Sequence, residues 1–113
     1  MKRSRNTIEP YSWGNKCSGW ELIKDSSLSV IEELMPPFTQ ETIHYHSDAQ
    51  QFFYILKGEA TFLINDEHHK IKEREGIHIK AQVIHQIKND TSTDLEFLVI
   101  SQPTTRGDRI NLK

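Results

Sequence analysis

Two histidines separated by one residue, His44 and His46, have the clearest chemical potential in this sequence. Side chains alternate between the two faces of a β-strand, so histidines spaced in this way point in the same direction if the segment is a strand. Gln51 follows five residues after His46, and His85 lies further downstream. A third imidazole and an amide oxygen brought to the same face would complete a site for a first-row transition metal. The sequence therefore predicts metal binding.

The residues on both sides of this motif favour short β-strands. Runs rich in Ile, Phe, Tyr and Val recur along the chain and are separated by turn-forming pairs such as Lys57-Gly58 and Glu75-Gly76. Nine strands are predicted, at residues 20–24, 28–34, 41–46, 51–56, 60–64, 69–72, 77–79, 84–88 and 95–101. Short strands at this spacing predict an all-β fold of the sandwich or barrel type.

Length and composition limit the possible classes of protein. A chain of 113 residues forms one domain, and its net charge of −2 gives no reason to expect a nucleic acid or an anionic membrane as partner. No stretch reaches the ~18 to 20 apolar residues of a membrane span, and no apolar run follows the basic residues 1–5, so no signal peptide is expected. The single cysteine, Cys17, cannot form an internal disulfide, which fits an expected location in a reducing cytoplasm.

The pattern of strands and turns divides the chain into three parts. An extended N-terminal arm is predicted for residues 1–19, and the β-barrel domain is predicted for residues 20–102. Residues 103–113 are polar and are predicted to form a C-terminal tail on the surface. The charged run at 106–109 is interpreted as part of that surface rather than as an anion-binding clamp.

The spacing of the candidate ligands resembles the two motifs of the cupin family. The first motif, G-x5-H-x-H-x3,4-E-x6-G, is matched in spacing by Phe38, His44, His46, Gln51 and Gly58. The second motif, G-x5-P-x-G-x2-H-x3-N, is matched in spacing by Arg74, Lys80, Gln82, His85 and Asn89. The three histidines, Gly58 and Asn89 are retained, whereas the other motif positions carry different residues. The resemblance covers roughly residues 20–102.

This resemblance implies a double-stranded β-helix, the jelly-roll barrel of cupins, with His44, His46, Gln51 and His85 as the metal ligands. Neutral imidazoles suit a divalent transition metal, here Fe, Zn, Ni or Mn. Two more ordinary interpretations stay open. The histidines could be polar residues on a solvated strand face, and Gln51, which replaces the glutamate of the family, could mark a degenerate site with weak or no metal binding.

An apolar pocket is expected beside the metal, because hydrophobic side chains line most sites for small ligands. The candidate pocket residues are Phe53 and Ile55, on the same strand face as Gln51, and Phe62 and Phe97 on neighbouring strands.

The opposite face of strand 50–56 is also apolar. We therefore expect a symmetric homodimer in which the arm of one subunit packs on the sheet of the other. The alternative is a monomer whose arm folds back onto its own sheet.

The predicted function is action on a small polar or anionic metabolite bound at the metal. An amide ligand adds no negative charge, so the metal keeps its full positive charge and favours an anionic group at an open coordination position. The resemblance implies a dioxygenase- or sugar-isomerase-like enzyme. Because the sequence shows no obvious general base, the alternative is a non-catalytic small-ligand-binding or sensor cupin.

Overall fold

The computed structural model describes residues 1–112, which consist mainly of antiparallel β-strands. Twelve strands lie within these residues: β1 (Tyr11–Trp13), β2 (Cys17–Lys24), β3 (Ser29–Met35), β4 (Thr39–Gln40), β5 (His44–His46), β6 (Gln50–Lys57), β7 (Ala60–Ile64), β8 (Glu67–Ile71), β9 (Gly76–Ile79), β10 (His85–Asn89), β11 (Leu95–Gln102) and β12 (Arg109–Asn111). The only helical segment in residues 1–112 is a 3-10 helix, Arg5–Thr7, and no helix there is long and apolar enough to cross a membrane.

The strands form two sheets that enclose one hydrophobic core. One sheet has the order β1-β2-β3-β11-β6-β9, and the other has the order β12-β5-β10-β7-β8 with β4 also paired to β10. The two sheets meet where Phe53 of β6 packs edge-on against Phe62 of β7, with ring centroids 5.0 Å apart. The core also contains Met35, Ile55, Ile87, Leu95 and Phe97. The predicted all-β jelly-roll fold is confirmed.

Each of the nine strands predicted from the sequence overlaps an observed strand, and β1, β4 and β12 are additional. The expected N-terminal arm, residues 1–19, is partly sheet, because β1 pairs with β2 of the same chain and β2 begins at Cys17. Gly19 permits this pairing, since a Cβ at that position would lie 2.5 Å from the Tyr11 ring. The thiol of Cys17 is free and buried, and the cytoplasmic location stays a prediction.

The expected surface tail, residues 103–113, also differs from the structure over its described part. β12 pairs antiparallel with β5, and Asp108 just before it is only 8% exposed. The interpretation of residues 106–109 as a surface charge cluster is therefore wrong for Asp108. Its burial has a physical reason, because backbone N–H groups and a histidine donate hydrogen bonds to its carboxylate.

The strand β6 carries one buried and one partly exposed apolar face. Gln51, Phe53 and Ile55 point inward and are buried, as their alternation predicts. Phe52 and Leu56 on the other face are 39% and 41% exposed, so residues 1–112 of a single chain leave this part of the face uncovered. Burial of this face in a homodimer stays a prediction.

Three motif positions at which cupins carry glycine keep a left-handed backbone here despite having side chains. Phe38, Arg74 and Gln82 have φ values of 57°, 66° and 70°. A left-handed residue with a Cβ is strained by about 1–2 kcal/mol, whereas glycine loses about 0.5–1 kcal/mol of backbone entropy on folding. These three residues therefore hold a conformation that favours glycine, at the expense of backbone strain.

We expect Arg74→Gly to stabilise the fold by up to about 1 kcal/mol, because strain relief exceeds the entropic cost of glycine. The Arg74 side chain is exposed, and the hydrogen bond from its backbone N–H to the Ile55 carbonyl would remain. Urea unfolding measures the difference. Lys80→Gly is the matched control at an exposed residue without a positive φ, and it should destabilise the fold. Equal destabilisation by both changes would contradict the strain argument.

Candidate metal centre

Two adjacent strands bring three histidines together at one side of the core. His44 and His46 project from the same face of β5, and His85 at the start of β10 is the direct cross-strand partner of His44. One ring nitrogen from each histidine lies within 4.8 Å of the others. All three side chains are buried, with exposures of 2%, 5% and 1%. The three histidines predicted from the sequence thus form one cluster.

Hydrogen bonds at Nδ1 fix which nitrogen of each ring is available. Nδ1 of His44 donates to the carbonyl of Thr42 over 2.8 Å, and Nδ1 of His85 donates to the carbonyl of Val83 over 2.9 Å. A carbonyl cannot donate, so Nδ1 carries the hydrogen in both rings and Nε2 carries the lone pair. Nδ1 of His46 is paired with the Asp108 carboxylate over 2.8 Å, which leaves its Nε2 available in the same way.

Burial keeps the three imidazoles uncharged. Together with a smaller effect of the neighbouring histidines, burial lowers the pKa of His44 to about 3 and that of His85 to about 4. Burial also lowers the pKa of His46, although Asp108 opposes that shift. A histidine must be neutral to bind a metal. The cluster is therefore in its ligand form at neutral pH.

Gln51 lies on β6, in the sheet opposite the histidines, and lines a cavity together with His44 and His46. Its cross-strand partner is Ser101, and its Nε2 donates to the Ser101 hydroxyl over 3.2 Å. The amide oxygen Oε1 is buried and has no hydrogen-bond partner within residues 1–112, and the same is true of Nε2 of His85. Buried polar atoms are almost always paired in proteins. Unpaired lone pairs on a buried imidazole nitrogen and a buried amide oxygen are what metal ligands require, so the residues fit a divalent transition metal held by three imidazoles and an amide oxygen.

A cavity of about 190 Å³ opens onto this cluster, and His44, His46 and Gln51 form part of its wall. Of the residues predicted to line a pocket, Phe53 does so, and its ring also lies 6.2 Å from that of His85. Ile55, Phe62 and Phe97 are fully buried in the core and do not line this cavity. A larger cavity of about 530 Å³ adjoins it and shares Tyr11, Ile31 and Thr105 with it.

Two carboxyl groups, those of Glu33 and Glu41, also line the cavity of about 190 Å³ at the histidine cluster. Burial raises the pKa of Glu33 to about 8, and the nearby charge of Glu41 contributes to the shift. Burial raises the pKa of Glu41 to about 7, although Arg109, 3.8 Å from its Oε1, acts in the opposite direction. The Tyr11 hydroxyl donates to Glu33 over 3.2 Å. The cavity therefore contains groups that can give or take a proton near neutral pH.

The acid–base residues of this cavity were not predicted from the sequence, and only Glu33 has a sequence pattern that could have indicated its role. Glu33 alternates with Ile31 and Met35 on β3, so a charged residue interrupts an inward apolar face. Such an interruption is a reason to suspect a functional site. Arg109 and Asp108 sit in a polar segment whose pairing with β5 has no local sequence signal.

The comparison with protein families agrees with this geometry. Residues 31–101 match the family described as "Cupin domain". The chain belongs to the cupin family. The match contains all three histidines and Gln51, and it ends before Asp108 and Arg109.

Several known proteins are similar to this cupin. The oxalate-binding protein of Thermotoga maritima is 33% identical over 66 residues, which are 58% of this chain and 54% of that protein. A crystal structure of a predicted oxalate decarboxylase from the same organism is 23% identical, covers 92% of this chain and 100% of its own, and has a TM-score of 0.85. A sugar phosphate isomerase of the cupin superfamily from Silicibacter pomeroyi is 20% identical, covers 92% of this chain and 76% of its own, and has a TM-score of 0.80.

Proposed function

We propose that this cupin holds a divalent Fe, Zn, Ni or Mn ion through His44, His46, Gln51 and His85, and that a small polar or anionic metabolite binds at that ion. One observation carries the proposal: three neutral imidazoles form a buried cluster, and Gln51, whose amide oxygen has no hydrogen-bond partner in residues 1–112, lines the same cavity as two of them. The ligand set is electrically neutral, so the ion would keep its full charge and attract oxygen-rich ligands.

The dimensions of the cavity indicate the size of the metabolite. A volume of about 190 Å³ holds roughly six water molecules at about 30 Å³ each. That volume suits a compound as small as oxalate, and the adjoining cavity of about 530 Å³ gives room for a larger one, such as a sugar phosphate. The names of the similar proteins, which refer to oxalate and to a sugar phosphate, support this class of metabolite.

Proton transfer by an isomerase-like mechanism is the activity that the cavity favours. A bound metal ion would supply Lewis acidity to an oxygen atom of the metabolite. Glu33 and Glu41 would exchange a proton with the metabolite, since burial brings their pKa values to about 8 and about 7. Tyr11 orients Glu33 through its hydrogen bond. These carboxyl groups are the general-base candidates that the sequence alone did not reveal.

Non-catalytic binding is the second candidate function. It is favoured by the similarity to a protein named for binding oxalate rather than for converting it. The two functions differ in whether Glu33 transfers a proton to or from the metabolite. A proton-transferring enzyme would incorporate deuterium from D2O into a hydroxy ketone such as dihydroxyacetone phosphate, and Glu33→Gln would abolish that incorporation. A binding protein would show neither effect.

We expect oxalate to raise the melting temperature of the metal-loaded protein and to leave that of EDTA-treated protein unchanged. A ligand at 100 times its Kd stabilises a fold by about 2.7 kcal/mol, and each kcal/mol corresponds to roughly 4 °C or more in a domain of this size. Thermal unfolding with and without oxalate, after loading with Mn, Fe, Ni or Zn, measures the shift. An equal shift in EDTA would show that oxalate binds elsewhere, and no shift with any of the four ions would contradict the proposal.

A further inference from the structure

A carboxylate outside the family match contacts one of the histidines. Oδ1 of Asp108 accepts the hydrogen of His46 Nδ1 over 2.8 Å. Asp108 is 8% exposed and lies beyond residues 31–101, the span that matches the cupin family. The contact joins residues that are 62 positions apart in the chain. It is therefore a feature of this chain's own C-terminal segment and not of the family motifs.

The remaining contacts of Asp108 hold its carboxylate in place and keep it ionised. Oδ2 accepts hydrogen bonds from the backbone N–H groups of Ala49 and Asp48, over 2.9 and 3.2 Å. Both oxygens of Asp108 thus act as hydrogen-bond acceptors, as those of an ionised carboxylate do. The carboxylate is therefore negatively charged at neutral pH.

These bonds also connect two of the proposed metal ligands. Residues 47–49 link His46 at the end of β5 to β6, which carries Gln51. The backbone N–H of Ser47 donates to the Asp108 carbonyl over 3.1 Å, and Arg109 is the pairing partner of His46 in β12. Asp108 thus fixes the orientation of one ligand and the path of the chain to the next.

We propose that Asp108 is a positioning residue that supplies, through His46, the negative charge that Gln51 does not bring to the metal. A carboxylate that accepts the second N–H of a ligating histidine makes that ring a more basic and better-oriented ligand, and losing it typically reduces metal affinity 10- to 100-fold. A glutamate at the position of Gln51 would place this charge in direct contact with the ion. In this chain the negative charge is on Asp108, which contacts the proposed ligand His46 rather than the ion itself. The inference rests on the proposed metal site.

The test measures Zn²⁺ affinity by competition with a chromophoric chelator, using the full-length chain. Asp108→Asn should weaken Zn²⁺ binding 10- to 100-fold. Asp48→Asn is the matched control, because Asp48 is exposed and contributes only its backbone N–H to this arrangement. It should leave the affinity unchanged. Urea unfolding of each metal-free variant shows how far the change affects the fold itself.

A second variant separates an electrostatic role from a merely structural one. Gln51→Glu should tighten Zn²⁺ binding, and the double variant Gln51→Glu with Asp108→Asn should bind within a few-fold of the wild type, because one charge replaces the other. The visible absorption of the Co²⁺-loaded Asp108→Asn protein should shift, since His46 becomes a weaker donor. Wild-type affinity in Asp108→Asn, or a loss that Gln51→Glu does not restore, would overturn the inference. A wild-type protein that binds no metal would instead refute the proposed function.

Discussion

Replacing both His44 and His46 with alanine should abolish stoichiometric metal binding while the β-fold persists. The change removes two of the three clustered nitrogens, and His85 with Gln51 cannot hold a divalent transition metal alone. Elemental analysis of protein purified without chelators gives the metal content, and far-ultraviolet circular dichroism reports the fold. Both side chains lie on a three-residue strand, so the loss of secondary structure should be small.

A matched double variant controls for the number of histidines. His68 and His69 lie on β8, outside the cluster, and their replacement by alanine should leave one metal ion per chain. Full metal content in the His44/His46 variant, with loss in the His68/His69 variant, would place the metal elsewhere. Full metal content in both double variants would show that none of these four histidines is needed for metal binding.

The elements that the sequence predicted are those determined by local pattern. The alternation of Gln51, Phe53 and Ile55 with Phe52 and Leu56 assigns the faces of β6 from period two alone. The His-x-His spacing likewise needs nothing more than a strand to bring two imidazoles to one face. His85 was found through motif spacing, and its pairing opposite His44 gives that spacing a physical basis.

The parts that the sequence did not predict depend on long-range pairing. Asp108 is buried only because β12 pairs with β5, and the polar residues around it carry no apolar alternation to indicate a strand. Tyr11 reaches the cavity because β1 pairs beside Gly19 of β2. Glu33 is placed inward by the register of β3 with β11, where its partner is Phe97. Contacts of this kind bring the acid–base groups to the cavity at the histidine cluster, which is why the chemistry was less predictable than the fold.

The metal-free protein should be most stable between about pH 4.5 and pH 6.5 and should lose stability on both sides of that range. On the acid side, His44 and His85 have pKa values of about 3 and about 4 in the fold, compared with 6.5 when unfolded. The unfolded chain therefore binds more protons below pH 6.5, and stability falls as the pH decreases towards 3. On the alkaline side, Glu33 and Glu41 have pKa values of about 8 and about 7, compared with 4.5 when unfolded. The folded chain keeps protons that the unfolded chain releases, so stability falls as the pH rises from 4.5 to 8.

Between pH 4.5 and 6.5 the two effects oppose each other, and above pH 6.5 only the carboxyl groups act, so the clearest comparison is pH 6.5 with pH 8. Urea unfolding in EDTA should give a free energy of unfolding that is lower at pH 8 by on the order of 2 kcal/mol, given 1.36 kcal/mol for each unit of pKa shift and partial relaxation of the buried sites. The double variant Glu33→Gln with Glu41→Gln has no carboxyl group to ionise at these positions, so it should lose little stability between the two pH values. It should keep the acid-side loss, because the histidines are unchanged. An alkaline loss as large in the variant as in the wild type would show that other groups carry it, and Glu33 and Glu41 would then no longer be candidates for proton transfer near neutral pH.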